Sequence, residues 1–229
     1  SSLGALATLR RELVGFFGWN YLAVTLSGLT TQLPLVFVGE LRGPVEAGYL
    51  RLGASVVSAG SALEGALARV TYPILSERWS RGERTAVMAA LRRGAREAGL
   101  PLALAVGAAI PLVPFLLPAV LGREYAAMVR GTQAMLGGAV VSLVFFHLNA
   151  FYYAAGRVAL WTKAYALYAL ALVVLAWPSA RAGGFGGVAL VLGVGEVAFT
   201  LAMAAAIDGR FGWFGEALAW CPRQVGRRV

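Results

Sequence analysis

The sequence is poor in the residues that most chemistry requires. It holds one cysteine, one histidine and only 14% charged residues. A single thiol, Cys221, excludes an internal disulfide and a zinc cluster, and it reads as incidental. There is no P-loop, no H-E-x-x-H and no run of metal ligands at binding spacing. No serine, histidine and acid stand in a catalytic arrangement, so neither an enzyme, a cofactor nor a metal site is expected. The opening SSLGALATLRREL lacks a short apolar core followed by a small-residue cleavage site, which excludes a recognisable signal peptide there. With no methionine at its start, the chain is expected to be processed or cut from something longer.

What is abundant is apolar surface. The hydrophobic set makes up 59% of the chain without its 29 glycines, and mean hydropathy is +0.71. Ordinary soluble domains reach about 45–50% apolar with glycine counted, and about 25% charged. A membrane helix needs about 20 mostly apolar residues to cross about 30 Å of hydrocarbon. Six stretches meet that length: 13–39, 47–75, 98–121, 126–155, 158–177 and 184–207. The expected fold is all-α: a six-helix transmembrane lobe over 10–207, followed by a basic cytoplasmic tail over 208–229.

The net charge of +9 does not point to nucleic acid, because all but one of the basic residues are Arg and many stand between spans. That distribution reports topology. The loop Ser76–Glu97 holds six Arg and three Glu, which marks it as cytoplasmic. Alternation then puts Arg10, Arg11, Arg157 and the tail arginines Arg223, Arg227 and Arg228 on the same side. Glu40–Glu46, Arg123-Glu124 and Trp177–Gly184 fall on the other. Trp19, Tyr21, Trp79, Trp177, Trp213 and Trp220 lie near span ends, as aromatic belt residues do. Within the large loop, Val87, Met88 and Leu91 alternate with Arg92, Arg93 and Arg96. Two readings are open for it: an amphipathic helix on anionic lipid, or an extension of the next span.

One span keeps charges. At about 100° per residue, Arg51, Ser55, Ser58, Gly65 and Arg69 fall within about 40° of one line, and Glu64 lies well off it. The two arginines stand about 27 Å apart, one near each interface. An Arg at mid-membrane costs at least about 2.5–3.5 kcal/mol, so such a face turns to a bundle interior or a wet cavity, or its arginines snorkel as anchors. Both readings stay open. In the first, the stripe is a cationic lining for an anionic ligand, since guanidinium binds two phosphate oxygens at once. In the first span Asn20, Ser27, Thr31 and Pro34 share a stripe. His147 is either a proton relay or a hydrogen-bonded core imidazole. Glu196, alone in GVGEVAF, either pairs with Lys163 or Arg130 or carries a coupling proton; Glu64 is a third coupling candidate. Pro101, Pro111, Pro114 and Pro118 predict a kinked third span. Gly183 and Gly187 form a G-x-x-x-G step that predicts close helix contact.

Five segments together resemble a known family. GELRGPVEAGYLRLGASV (39–56), with Gly39, Gly43, Pro44, Gly48 and Tyr49, is similar to the turn between two spans in the lipid-linked oligosaccharide flippases of the multidrug, oligosaccharidyl-lipid and polysaccharide exporter superfamily. YPILSERWSRGE (72–83), LGREYAAM (121–128), LNAFYYAAGRV (148–158) and GGFGGVAL (183–190) resemble further segments of that family, in the same order. The resemblance covers about residues 10–207 and matches the C-terminal half of its members. It departs at Pro34, where many relatives carry an acidic residue. It implies one lobe of a two-lobe carrier in a bacterial inner membrane, with both ends of this segment cytoplasmic. The implied substrate is an undecaprenyl-pyrophosphate-linked oligosaccharide, moved by alternating access through a cationic cavity. Its implied partners are membrane lipids, the N-terminal lobe and a polysaccharide polymerase. Arg51, Ser55, Ser58, Arg69, Asn20 and Thr31 are the candidate cavity residues. The rivals are a multidrug or small-cation exporter, which favours an acidic cavity, a non-transporting scaffold for polysaccharide assembly, and a lipid-modifying enzyme.

Overall fold

The computed structural model describes residues 2–211, and the side chains of residues 13–207. Arg10, Arg11 and the residues of the expected tail, among them Trp213, Trp220, Cys221, Arg223, Arg227 and Arg228, lie outside the described side chains.

The described chain is helical, with eight α-helices and no strand among these residues: α1 (Ser2–Arg42), α2 (Pro44–Ser80), α3 (Arg84–Gly94), α4 (Leu100–Ala109), α5 (Val113–Leu121), α6 (Val129–Val144), α7 (Leu148–Ala154) and α8 (Val158–Phe211). Four runs are long and apolar enough to cross a membrane: Leu13–Arg42, Arg84–Leu121, Arg123–Val144 and Val158–Ile207. The chain is an all-α membrane helix bundle. Its outer surface is apolar as lipid requires, with Val24, Leu104, Phe115, Val120 and Leu167 each more than 60% exposed.

The turn between α1 and α2 is a single residue, Gly43, followed by Pro44 at the first helical position, where the missing N–H costs nothing. The expected loop Glu40–Glu46 is therefore almost all helix, and α2 runs back alongside α1. α8 cannot be one rod. Gly184 breaks it at φ 57°, ψ −140°, a region essentially open only to glycine. The arms on either side of it fold back on each other: Tyr168 of the first stacks on Phe199 of the second at 4.9 Å, and Trp161 meets Phe199 at 5.2 Å. α1, α2, α6 and the two arms of α8 surround the interior, and α4 packs outside against α6.

The arginine-rich stretch is mostly helix too. α2 continues to Ser80, and α3 begins at Arg84. Exposed pairs at i, i+4, Arg81 with Glu77 and Arg93 with Glu97, support both helices. Of the two readings for this segment, the structure gives the extension: Val87, Met88 and Leu91 are buried against Leu75, Leu148 and Phe151. A short π-helical turn, Ala95–Gly99, then carries the chain into α4. The expected span 126–155 is instead two helices, divided by a turn at 145–147 whose Phe146 and His147 side chains are buried.

The prolines have an identifiable partner. Pro111 and Pro114 break the third span into α4 and α5 across a 3₁₀ turn, Ile110–Leu112. Pro114 has no N–H to give the Ile110 carbonyl four residues back. That carbonyl accepts the Val113 N–H of the 3₁₀ turn instead, and the Gln133 amide from α6 donates to it as well at 3.0 Å. Of the expected pair, Gly187 makes a close contact and Gly183 does not. A Cβ at Gly183 would meet nothing within 4 Å, whereas one at Gly187, on the second arm of α8, would stand 2.5 Å from the Ser179 carbonyl oxygen of the first arm. The backbones of α6 and α8 also touch where Gly138 faces Gly193, a Cβ on the former standing 2.8 Å from the latter's carbonyl oxygen.

Candidate functional site

Two cavities open inside the bundle, of about 260 Å³ and 350 Å³, and they share the walls Ser61, Glu64, Ser142, Tyr165 and Glu196. α2 supplies Ser61 and Glu64, α6 supplies Ser142, and the arms of α8 supply Tyr165 and Glu196. The Ser142 hydroxyl donates to Glu64 Oε2 at 2.8 Å, and Tyr168 Oη donates to Glu196 Oε2 at 3.1 Å. Thr30 and Tyr165 hydroxyls meet at 3.2 Å on the wall of the smaller cavity.

Two carboxylates thus face one interior space. Each has about four acceptor sites, which the donors just named leave mostly open. Among the described residues no ion pair reaches either one. The expected partners of Glu196 lie elsewhere: the Lys163 ammonium stands over the Trp19 ring at 5.5 Å, and Arg130 is exposed. The partner of Glu196 is Tyr168 instead, because an i, i+28 pair across the fold of α8 brings the phenol within reach.

The arginine stripe lies on another face of α2. Arg51, Ser55, Ser58 and Arg69 are all exposed. Their polar atoms bond within the helix: Ser55 Oγ donates to the Arg51 carbonyl at 2.9 Å, Ser58 Oγ to Ser55 at 2.7 Å, and Arg69 Nε to Gly65 at 3.1 Å. No helix described here covers this face. Ser61, exposed as well, lines both cavities, so they open beside the serine side of α2. Of the other candidates, Thr31 lines the smaller cavity with Pro34. Asn20 is engaged apart from it, its Oδ1 accepting from Tyr153 Oη at 2.8 Å. His147, wholly buried at the turn between α6 and α7, lines neither cavity.

Sequence reasoning singled out both glutamates separately and missed Ser142, Tyr165 and Tyr168. Nothing local marks those three: each becomes polar lining only through contacts 28 to 135 residues away in the chain.

A second polar assembly holds one end of the bundle. Glu46, third residue of α2, accepts the Phe185 N–H at 2.7 Å, at the start of the second arm of α8. Arg42, last residue of α1, donates Nε to the Ala180 carbonyl at 3.1 Å and Nη2 to Arg181 at 2.8 Å, at the end of the first arm. A carboxylate therefore meets a helix N-terminus and a guanidinium meets a helix C-terminus, each the favourable sign for the helix dipole. Tyr49 adds a bond to the Glu124 carbonyl at 3.1 Å.

Comparison with protein-family models, with curated proteins and with solved structures returns no match.

Proposed function

We propose that this chain is one lobe of a membrane carrier that moves a lipid-linked oligosaccharide from the inner to the outer leaflet of a bacterial cytoplasmic membrane. The observation that carries the reading is the exposed face of α2 with Arg51, Ser55, Ser58 and Arg69. An uncovered polar face on a helix packed inside a membrane bundle calls for a wet cavity or a partner, since lipid accepts it only at a cost of several kcal/mol. A second lobe facing α2 would enclose that cavity. Two guanidiniums spaced along its wall suit a pyrophosphate and acidic sugars. Alternating access then follows from rocking of the two lobes. Of the coupling candidates, Glu64 and Glu196 share one interior space, which makes them the groups suited to take up a coupling proton or cation.

The same pair of carboxylates favours one second reading, an exporter of drugs or small cations. Alanine variants at Arg51 and Arg69 separate the two. The oligosaccharide reading expects surface polysaccharide to fall in R51A and R69A, and further in the double variant, with folded protein in the membrane unchanged. Normal polysaccharide in all three, together with altered tolerance to cationic drugs, would transfer the assignment to the exporter.

A further inference from the structure

We infer that a groove on the outer side of α8 is a binding site for one acyl chain of an anionic phospholipid, whose headgroup meets Lys163. The groove, of about 540 Å³, runs between the two arms of α8. Leu167, Leu172 and Leu175 of the first arm wall it against Leu190, Val194 and Met203 of the second. Leu167, Leu175, Leu190 and Val194 are each more than 50% exposed, so the groove opens outward and not into the bundle. The one hydroxyl on its wall, Tyr168 Oη, is engaged by Glu196 Oε2 at 3.1 Å. A bound water needs two or more polar partners, and the groove supplies none. Left empty, its walls forfeit their dispersion contacts. Hydrocarbon chain is what the surrounding membrane offers to fill it.

Length and charge select the lipid. From Ala164 to Leu175 the first wall covers about 16 Å of helix. That is about one leaflet of a hydrocarbon layer about 30 Å thick. Lys163, the chain's one lysine, immediately precedes Ala164 and stands one turn before Leu167. Its ammonium lies over the Trp19 ring at 5.5 Å, and a tryptophan beside a lysine marks the headgroup level. Lys163 is exposed, and no carboxylate among the described residues pairs with it. Its flexible four-carbon stem can bring the ammonium to a lipid phosphate. A zwitterionic headgroup sets its own cation against Lys163, whereas an anionic one brings charge of the complementary sign. Basic side chains at the headgroup level favour anionic lipid for that reason. The inference rests on the fold alone and not on which substrate the carrier moves.

Photolabelling of the full-length protein in lipid nanodiscs tests it. The probes are phosphatidylglycerol and phosphatidylcholine, each with a diazirine in one acyl chain, and labelled residues are read by mass spectrometry. The expected result is labelling concentrated in 164–175 and 190–203. Phosphatidylglycerol should label about fivefold more strongly, the contribution of one lysine near an anionic headgroup. K163Q should bring the two lipids level, and K163R should keep the preference. A171W fills the groove from an exposed position on its wall. It should abolish labelling there with either lipid and leave labelling around Leu104 and Phe115 unchanged. Should A171W fail to fold, which size-exclusion profiles check, the native sequence and the Lys163 variants still decide. Labelling spread evenly over the outer helices would overturn the inference. So would a groove left unlabelled because a second copy or another lobe covers it, equal labelling by the two lipids in the native sequence, or a preference that survives K163Q.

Discussion

The Gln133 amide shows how a single side chain makes a broken membrane helix tolerable. In lipid no water replaces a lost backbone bond, so at Pro114 the Ile110 carbonyl takes the Val113 N–H in a tighter turn and the Gln133 amide as a second donor. Q133L removes that donor while keeping bulk. It should destabilise the bundle by about 0.5–1.5 kcal/mol, read from unfolding in detergent, with Q133E at least as costly because a carboxylate offers the carbonyl no donor. Glu46 gives a second prediction. E46A leaves the Phe185 N–H without its carboxylate and should cost about 1 kcal/mol, with E46Q costing less because it keeps an acceptor. G184A should cost about 1–3 kcal/mol, because a β-carbon there is strained by the backbone angles and collides with the Glu46 carboxylate. At this scale the sequence is legible in part. Turning 100° per residue takes Glu64 off the arginine stripe, and the structure has it pointing inward. Its hydrogen-bond partner is not legible, because Ser142 lies 78 residues along the chain and only the packing of α2 on α6 brings it near.

Between elements, contact is set by where backbones can approach. Helices in lipid gain little from hydrophobic burial and associate through close packing and hydrogen bonds. α6 and α8 meet at Gly138 and Gly193, one turn from Ser142 and Glu196 respectively. G138L or G193L should force the two apart and cost about 1–3 kcal/mol or more. The Ser142–Glu64 and Tyr168–Glu196 bonds should loosen with them, giving faster hydrogen exchange in α6 and α8 than in α1. Composition and span length are enough to read the all-α membrane bundle and its apolar runs. They do not reveal that one-residue and three-residue turns replace the expected loops. Charge between apolar runs reads as a loop, yet i, i+4 pairs keep charged helices intact at a bundle's end. The five segments that carry the family resemblance also gain a physical meaning. Residues 39–56 meet 121–128 through Tyr49 and Tyr125, and 183–190 through Glu46 and Phe185. At the opposite end, 72–83 meets 148–158 through Trp79 and Phe151 at 5.5 Å. There Gly156, at φ 69°, closes α7 by letting Arg157 N reach the Tyr152 carbonyl at 2.8 Å. These segments fasten the ends of the bundle, and the candidate site lies between them.

At the scale of the whole molecule, two polar surfaces lie back to back on one helix. The outward face of α2 is cationic and uncovered, and its inward face contributes Glu64 to an acidic, aromatic interior. On the function proposed above, the first would face an anionic lipid-linked glycan and the second would serve coupling. The proposed oligosaccharide translocation is tested most directly in cells lacking the whole gene. Lipid-linked oligosaccharide is quantified on the inner leaflet and polysaccharide at the surface. The expected result is accumulation inside with loss outside, restored by the native gene and restored poorly by the Arg51 and Arg69 variants. Unchanged lipid-linked glycan on both sides of the membrane would contradict it.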